Sequence, residues 1–205
     1  MFISAAVAFL LGSSVTFAGP LAENSTITVR KCGTTISDER LIAAEEYFAL
    51  HKVTPFFDPF ATATVNVYYH VISEDDTLAG GNVGDDLIAA QISALNDGYS
   101  GSGLTFTLAG TDRTVNSDWF NTVGPDSDEQ TDMKTSLRQG GAADLNLYSV
   151  GFKSGSGSGL LGYSTFPWDY ESDPQDDGVV FLFSSVPNGG TTNYEQGKVS
   201  ACRHL

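Results

Sequence analysis

Val65-Asn66-Val67-Tyr68-Tyr69-His70-Val71-Ile72 alternates and is rich in β-branched and aromatic residues, the pattern of a β-strand. Beyond the acidic, Gly-rich loop from Glu74 to Gly84, Asp85 caps a helix whose Ile88, Ile92, Leu95 and Tyr99 make one apolar stripe. Leu104 to Leu108 alternates again, so strand, crossover helix and strand read as a right-handed βαβ unit. The second half repeats the alternation. Asp128, Glu129 and Asp132 load the first turn of a helix, Lys134 and Arg138 its last, and Gly140-Gly141 ends it, as the macrodipole and a glycine C-cap require. Leu145 to Phe152 predicts a strand, Leu160 to Phe166 an extended segment before Pro167, and Gly178 to Phe183 a strand buried on both faces. The sum is an α/β domain, a twisted and mostly parallel sheet of about five strands with packed helices. Upstream, Ser37 caps a helix carrying Leu41, Ala44 and Phe48 at helical spacing until His51 to Pro55 stops it, and Phe56 to Phe60 is a linker-like break.

The 205 residues carry 25 acids and 10 bases, a formal net charge of −15. That balance argues against nucleic acid and against anionic membrane surfaces, since both are held by Lys and Arg. A hydrophobic content of 41% suffices for a core and excludes whole-chain disorder. Two cysteines exclude a disulfide scaffold and a paired C-x-x-C zinc site. Residues 1–18 read as a secretory signal: an apolar run from Phe2 to Leu11 and small residues leading to cleavage after Ala18. The run is about half the ~20 residues that span a bilayer. Asn24-Ser25-Thr26 is a glycosylation acceptor pattern, with Asn24 as the site. The acidity then reads as solubility of a secreted, extracellular protein.

Few residues carry an obvious chemistry. Gly157-x-Gly159-x-x-Gly162 matches a dinucleotide fingerprint, but an extended segment follows where a helix N-terminus is needed. There is no G-x-S-x-G elbow and no Walker motif. His70 lies inside a strand and reads as a satisfied strand residue before a catalytic base; a Ser/His/Asp triad has no support. Glu74-Asp75-Asp76 and Asp173 to Asp177 read as solvated loops, and without EF-hand spacing calcium is the lesser reading. Arg30-Lys31-Cys32-Gly33-Thr34 places a thiol between cations, which favours a thiolate able to bind a metal; a disulfide to Cys202 or a surface thiol is the plainer alternative.

These segments together resemble secreted fungal zinc metalloproteases of the pappalysin type, a metzincin family. The resemblance rests on Val67 to Ile72, Gln91-Ile92 with Leu95-Asn96, Arg113 to Asn116 with Trp119-Phe120, and Asp144 to Tyr148. Leu161 to Pro167 and Asp177 to Val180 complete it, with order and spacing kept from about Arg30 to Lys198. It implies the upper subdomain of a metzincin catalytic domain, a five-stranded sheet whose antiparallel edge strand lines the cleft. That edge maps to Leu160–Phe166, so Leu160, Leu161, Gly162 and Tyr163 would bind an extended peptide or protein substrate by strand addition. Arg30, Cys32 and Gly33 match the family's R-x-C-G cysteine switch, in which the thiolate blocks zinc until the leader is removed. The implied organisation is signal peptide 1–18, propeptide-like leader 19–60 with a helix, the N-terminal part of the catalytic domain 61–198 and a divergent tail 199–205.

The family's H-E-x-x-H-x-x-G-x-x-H, which holds zinc and activates its water, is not among these residues. The full-length family uses zinc; this chain is expected to bind none stably and to lack catalysis. Val199-Ser200 after Lys198 is what an in-frame 5′ splice site translates to, so the tail reads as intron read-through, with a genuine shortened paralogue as the alternative. The alternative function is a non-catalytic secreted protein that holds peptides on the same cleft edge. Without a covering helix, Val179, Val180, Phe181 and Phe183 are expected to be exposed on one face, favouring aggregation.

Overall fold

The computed structural model describes residues 29–51 and 62–201. The signal segment, Asn24, the Phe56–Phe60 break, Cys202 and His204 lie outside the described residues. The elements are β1 (Lys31–Cys32), α1 (Asp38–His51), β2 (Ala63–Ser73), α2 (Asp85–Gly98) and β3 (Leu104–Val115). There follow α3 (Ser117–Thr122), α4 (Asp128–Leu137), β4 (Leu145–Val150), β5 (Leu160–Ser164) and β6 (Val179–Leu182). They form one sheet in the order β1-β5-β6-β4-β2-β3. β2, β3, β4 and β6 run parallel, and β5 is antiparallel to β6. This is the expected α/β architecture, with a sixth strand: β1, from the segment before α1, pairs parallel with the outer side of β5.

β2 organises the sheet because its second half, Tyr69 to Ser73, is buried on both faces between β3 and β4. The βαβ unit forms as its periodicity predicts. The N-cap of α2 is Gly84, not Asp85, which instead pairs with Arg113 at 2.5 Å. Of the expected stripe, Ile88 and Leu95 are fully buried and Ile92 and Tyr99 partly so. Gln91 is buried beside them, its Nε2 donating to the Gly197 carbonyl at 2.8 Å and to Ser200 Oγ at 2.7 Å. β3 continues seven residues past Leu108, to Val115. It is the sheet's far edge, where alternate residues face solvent and no apolar pattern is needed.

Two expectations for α4 also change. Ser127 caps α4 by accepting from Gln130 N–H, and the helix ends at Leu137 with Arg138 already extended (ψ 135°). Gly140, with φ +77°, turns the chain after that end and is not its cap. Ser37 does cap α1, accepting from the Arg40 N–H at 3.3 Å. However, Leu41 and Phe48 of its stripe are 44% and 65% exposed, so α1 leaves its apolar side chains outside the core.

β6 is buried throughout, Val180 and Phe181 completely, against the expectation of an uncovered face. The chain folds back after β6: Val186 is fully buried, Val199 is 8% exposed, and the 3-10 turn Val199–Ala201 packs on β5, β6 and α2. Among the described residues no helix is long and apolar enough to cross a membrane.

Candidate functional site

The predicted residues Leu160, Leu161, Gly162 and Tyr163 all fall in β5, and the structure brings Cys32 to them. Lys31 stands opposite Leu160 and Cys32 opposite Gly162, one step of β1 spanning two residues of β5. The contact continues on both sides. Arg30 Nη1 donates to the Leu160 carbonyl at 3.1 Å, Gly33 N–H to the Gly162 carbonyl at 2.8 Å, and Ser164 N–H donates to Thr34 Oγ1 at 2.9 Å. One glycine allows this approach and a second the packing of β5 on β6. A Cβ on Gly33 would sit 2.7 Å from Leu160 Cδ1, and one on Gly162 would sit 2.8 Å from the Val180 carbonyl of β6. The antiparallel strand is therefore not a bare edge: the chain's own segment Arg30 to Thr34 occupies it.

β5 is aimed by the loop that follows it. Thr165 Oγ1 accepts from Gly178 N–H at 3.0 Å, closing the loop onto β6. Helix α4 holds the same loop from beneath. Lys134, 1% exposed, donates from Nζ to Asp176 Oδ1 at 2.8 Å and to the Asp176 carbonyl at 2.6 Å; its ammonium also lies 5.9 Å from the centre of the Tyr163 ring. Burial holds the Lys134 amine below the ordinary lysine range, against the upward pull of Asp176, Asp177 and Asp173. Arg138 Nη2 lies 3.9 Å from Asp177 Oδ2, both side chains 5% exposed. Lys134 thus does more than face a helix dipole, and the end of the Asp173–Asp177 run is fixed instead of solvated. No periodicity marks these positions, because the partners are joined only by the crossing of α4 and the β5–β6 loop.

His70 is the satisfied strand residue expected. Nδ1 meets Asp112 Oδ2 at 2.7 Å, Nε2 meets Asn146 Oδ1 at 2.9 Å, and the ring stacks on Tyr148 at 4.5 Å. Asn146 is oriented by Gln139, whose N–H donates to Oδ1 and whose carbonyl accepts from Nδ2, each at 2.9 Å. Both ring nitrogens of His70 therefore face acceptors, leaving neither for a metal. Among the described residues no group of three or more His, Cys, Asp or Glu could hold a metal ion. The described residues thus do not fit a zinc site. Gly157-x-Gly159-x-x-Gly162 runs from a 3-10 turn straight into β5, without the helix a dinucleotide needs. What the site does offer is a row of backbone carbonyls and N–H groups able to pair with an extended chain.

No protein-family profile matches the chain. It is similar to an extracellular metalloprotease of Neurospora crassa, 34% identical over 94% of this chain and 67% of the relative. Extracellular metalloproteases of Sordaria macrospora and Pyricularia oryzae are 41% and 34% identical, over 68% and 83% of this chain and 47% and 59% of theirs. The chain thus spans roughly half to two thirds of the length of these relatives. Among solved structures, promirolysin of Tannerella forsythia (mutant E225A) aligns with TM-score 0.60 at 18% identity, covering 84% of this chain and 66% of that one. Mature mirolysin with a cleaved peptide aligns with TM-score 0.51 at 20% identity, over 68% of this chain and 60% of that one. At such identities the likeness concerns the fold.

Proposed function

Because the chain belongs to the extracellular metalloprotease family, we propose that it forms the substrate-edge half of a secreted zinc endopeptidase domain of the pappalysin type. In that reading β5 takes an extended peptide or protein substrate as an added strand, through the carbonyls of Leu160 and Gly162 that the leader now engages. The pairing of β1 with β5 carries the proposal. A strand that accepts the chain's own leader has the geometry to accept another extended segment in its place. The greater coverage of this chain by the pro form of mirolysin, 84% against 68% for the mature form, supports reading the leader as a pro-segment. Cys32 would then be the ligand that blocks the zinc of the full-length protein until the leader is removed. Bound zinc would supply a polarised water for peptide hydrolysis. This chain's share is to align the peptide backbone and to restrain access until the leader leaves.

Two arms test the proposal. The 205-residue chain is assayed for zinc content and casein hydrolysis with and without a chelator, beside a chain extended by the coding DNA that follows Lys198. The expectation is chelator-sensitive hydrolysis from the extended chain alone, increased by Cys32→Ser before leader removal. Chelator-sensitive hydrolysis by the 205 residues would overturn their proposed inactivity. Peptide binding without turnover in the extended chain, weakened by substitution of Leu161 or Gly162, would favour the non-catalytic binding protein.

A further inference from the structure

His70 lies on the central strand β2 with its side chain fully buried, and it takes no part in the proposed chemistry. The register sets it directly opposite Asp112 of β3 and Tyr148 of β4, so one side chain touches three strands. Each of its ring nitrogens meets an oxygen, Asp112 Oδ2 at 2.7 Å and Asn146 Oδ1 at 2.9 Å. The Asn146 amide has only one orientation that fits, because Gln139 holds it twice: its main-chain N–H donates to Oδ1 and its carbonyl accepts from Nδ2. Reversing the amide would set N–H against N–H and oxygen against oxygen. A neutral imidazole carries a single N–H, so at one of the two contacts its lone pair would oppose an oxygen. Only the imidazolium donates at both.

The surroundings accept that charge. Asp112 supplies the counter-charge; its Oδ2 also accepts from Gln139 Nε2 at 3.1 Å, and its Oδ1 is buried without a hydrogen-bond partner. The Tyr148 ring stacks on the imidazole with 21° between the planes, a face that favours a cation. Burial pushes the Tyr148 hydroxyl well above its ordinary value, so this neighbour brings no charge of its own. The charged groups around that hydroxyl answer one another: Arg138 lies 3.9 Å from Asp177, and Lys134 pairs with Asp176.

We infer that His70 is a proton-operated clamp: protonated at both ring nitrogens it ties β2 to Asp112 of the edge strand β3 and to Asn146 of β4, and loss of one proton releases one tie. The proton exchanges with solvent by way of Asp112, whose side chain is 33% exposed. An unfolded histidine gives up its proton between about pH 5 and 8, whereas the folded clamp needs it. Stability tied to the clamp is therefore present in mildly acidic solution and is lost as pH rises. The clamp makes the far edge of the sheet sensitive to external pH.

The test uses the 205-residue chain with isotope-labelled histidine, carrying His51→Gln and His204→Gln so that His70 alone reports in nitrogen NMR. In mildly acidic solution both ring nitrogens should bear a proton. Asp112→Asn keeps the size of the side chain, removes the counter-charge and can donate to Nδ1, so in that variant one ring nitrogen should be bare. In urea denaturation the parent should exceed Asp112→Asn by about 1 M in midpoint under mildly acidic conditions, with the gap closing as the solution is made alkaline. Lys134 titrates in both chains and cancels from the comparison. A bare ring nitrogen in the parent chain in mildly acidic solution, or a gap that does not change with pH, overturns the inference. Should the variant fail to fold, the nitrogen signals of the parent chain decide.

Discussion

Replacing Asp176 by Ala measures how firmly α4 holds the loop that aims β5. Lys134 Nζ is buried and has two partners, both from residue 176: the carboxylate at 2.8 Å and the main-chain carbonyl at 2.6 Å. Removing one member of a buried ion pair costs about 3–5 kcal/mol when the remaining charge is stranded. Here the carbonyl survives the substitution and Asp177 still acts on the amine, which favours the low end of that range. Against this, Gln130 Nε2 loses its acceptor, worth about 1 kcal/mol. The expected loss is about 3 kcal/mol at neutral pH.

The pH dependence has a definite sign. Burial lowers the folded-state value of Lys134 below its ordinary 10.5, so between those two values the unfolded chain binds more protons. Stability tied to Lys134 is therefore complete above the ordinary value and is lost as pH falls through the folded value. Asp176→Ala removes the largest upward influence on the amine and extends this window toward neutral pH. The deficit against wild type should be greatest at neutral pH and shrink as the solution is made alkaline. Urea denaturation followed by tryptophan fluorescence at neutral and alkaline pH measures both. A loss below about 1 kcal/mol at neutral pH, or one that grows with alkalinity, refutes the claim that a charged, buried Lys134 depends on this carboxylate.

Other substitutions separate the two sides of the site. Gly162→Ala forces a Cβ against the Val180 carbonyl at 2.8 Å and Phe181 Cβ at 3.1 Å, and should cost about 1–3 kcal/mol in urea denaturation. Gly98→Ala, with nothing within 4 Å of the new Cβ, serves as its control and should not destabilise; equal losses at both positions would contradict the close-packing account. Asn146→Ala strips partners from His70 Nε2 and from both main-chain groups of Gln139, and should cost about 2–4 kcal/mol. An unchanged denaturation midpoint would show that this network is not a structural one.

Local order was legible where one period governs a segment. The alternation of Val65–Ile72, the helical spacing from Ile88 to Tyr99 and the apolar run from Val179 to Leu182 identify β2, α2 and β6 before any contact is known. Boundaries were less so: β3 runs to Val115 because an edge strand does not need apolar residues on both faces, and Gly84 takes the cap position ahead of Asp85. The covering of β6 was also not readable, because Val186, Val199 and the turn around it carry no period that assigns them to that face.

By itself the sequence determined the α/β class and an extended segment from Leu160 to Phe166, since each follows from patterns within a few neighbours; that this segment would be a substrate edge is what the family resemblance implies. Tertiary structure alone decided that Arg30 to Thr34 lie across that strand and that Arg40 reaches Asp169, 129 positions away. It alone made Lys134 a buried anchor when its neighbours mark it as a surface charge. Pairing, burial and charge compensation depend on which distant segments share a volume, and local chemistry does not encode that choice.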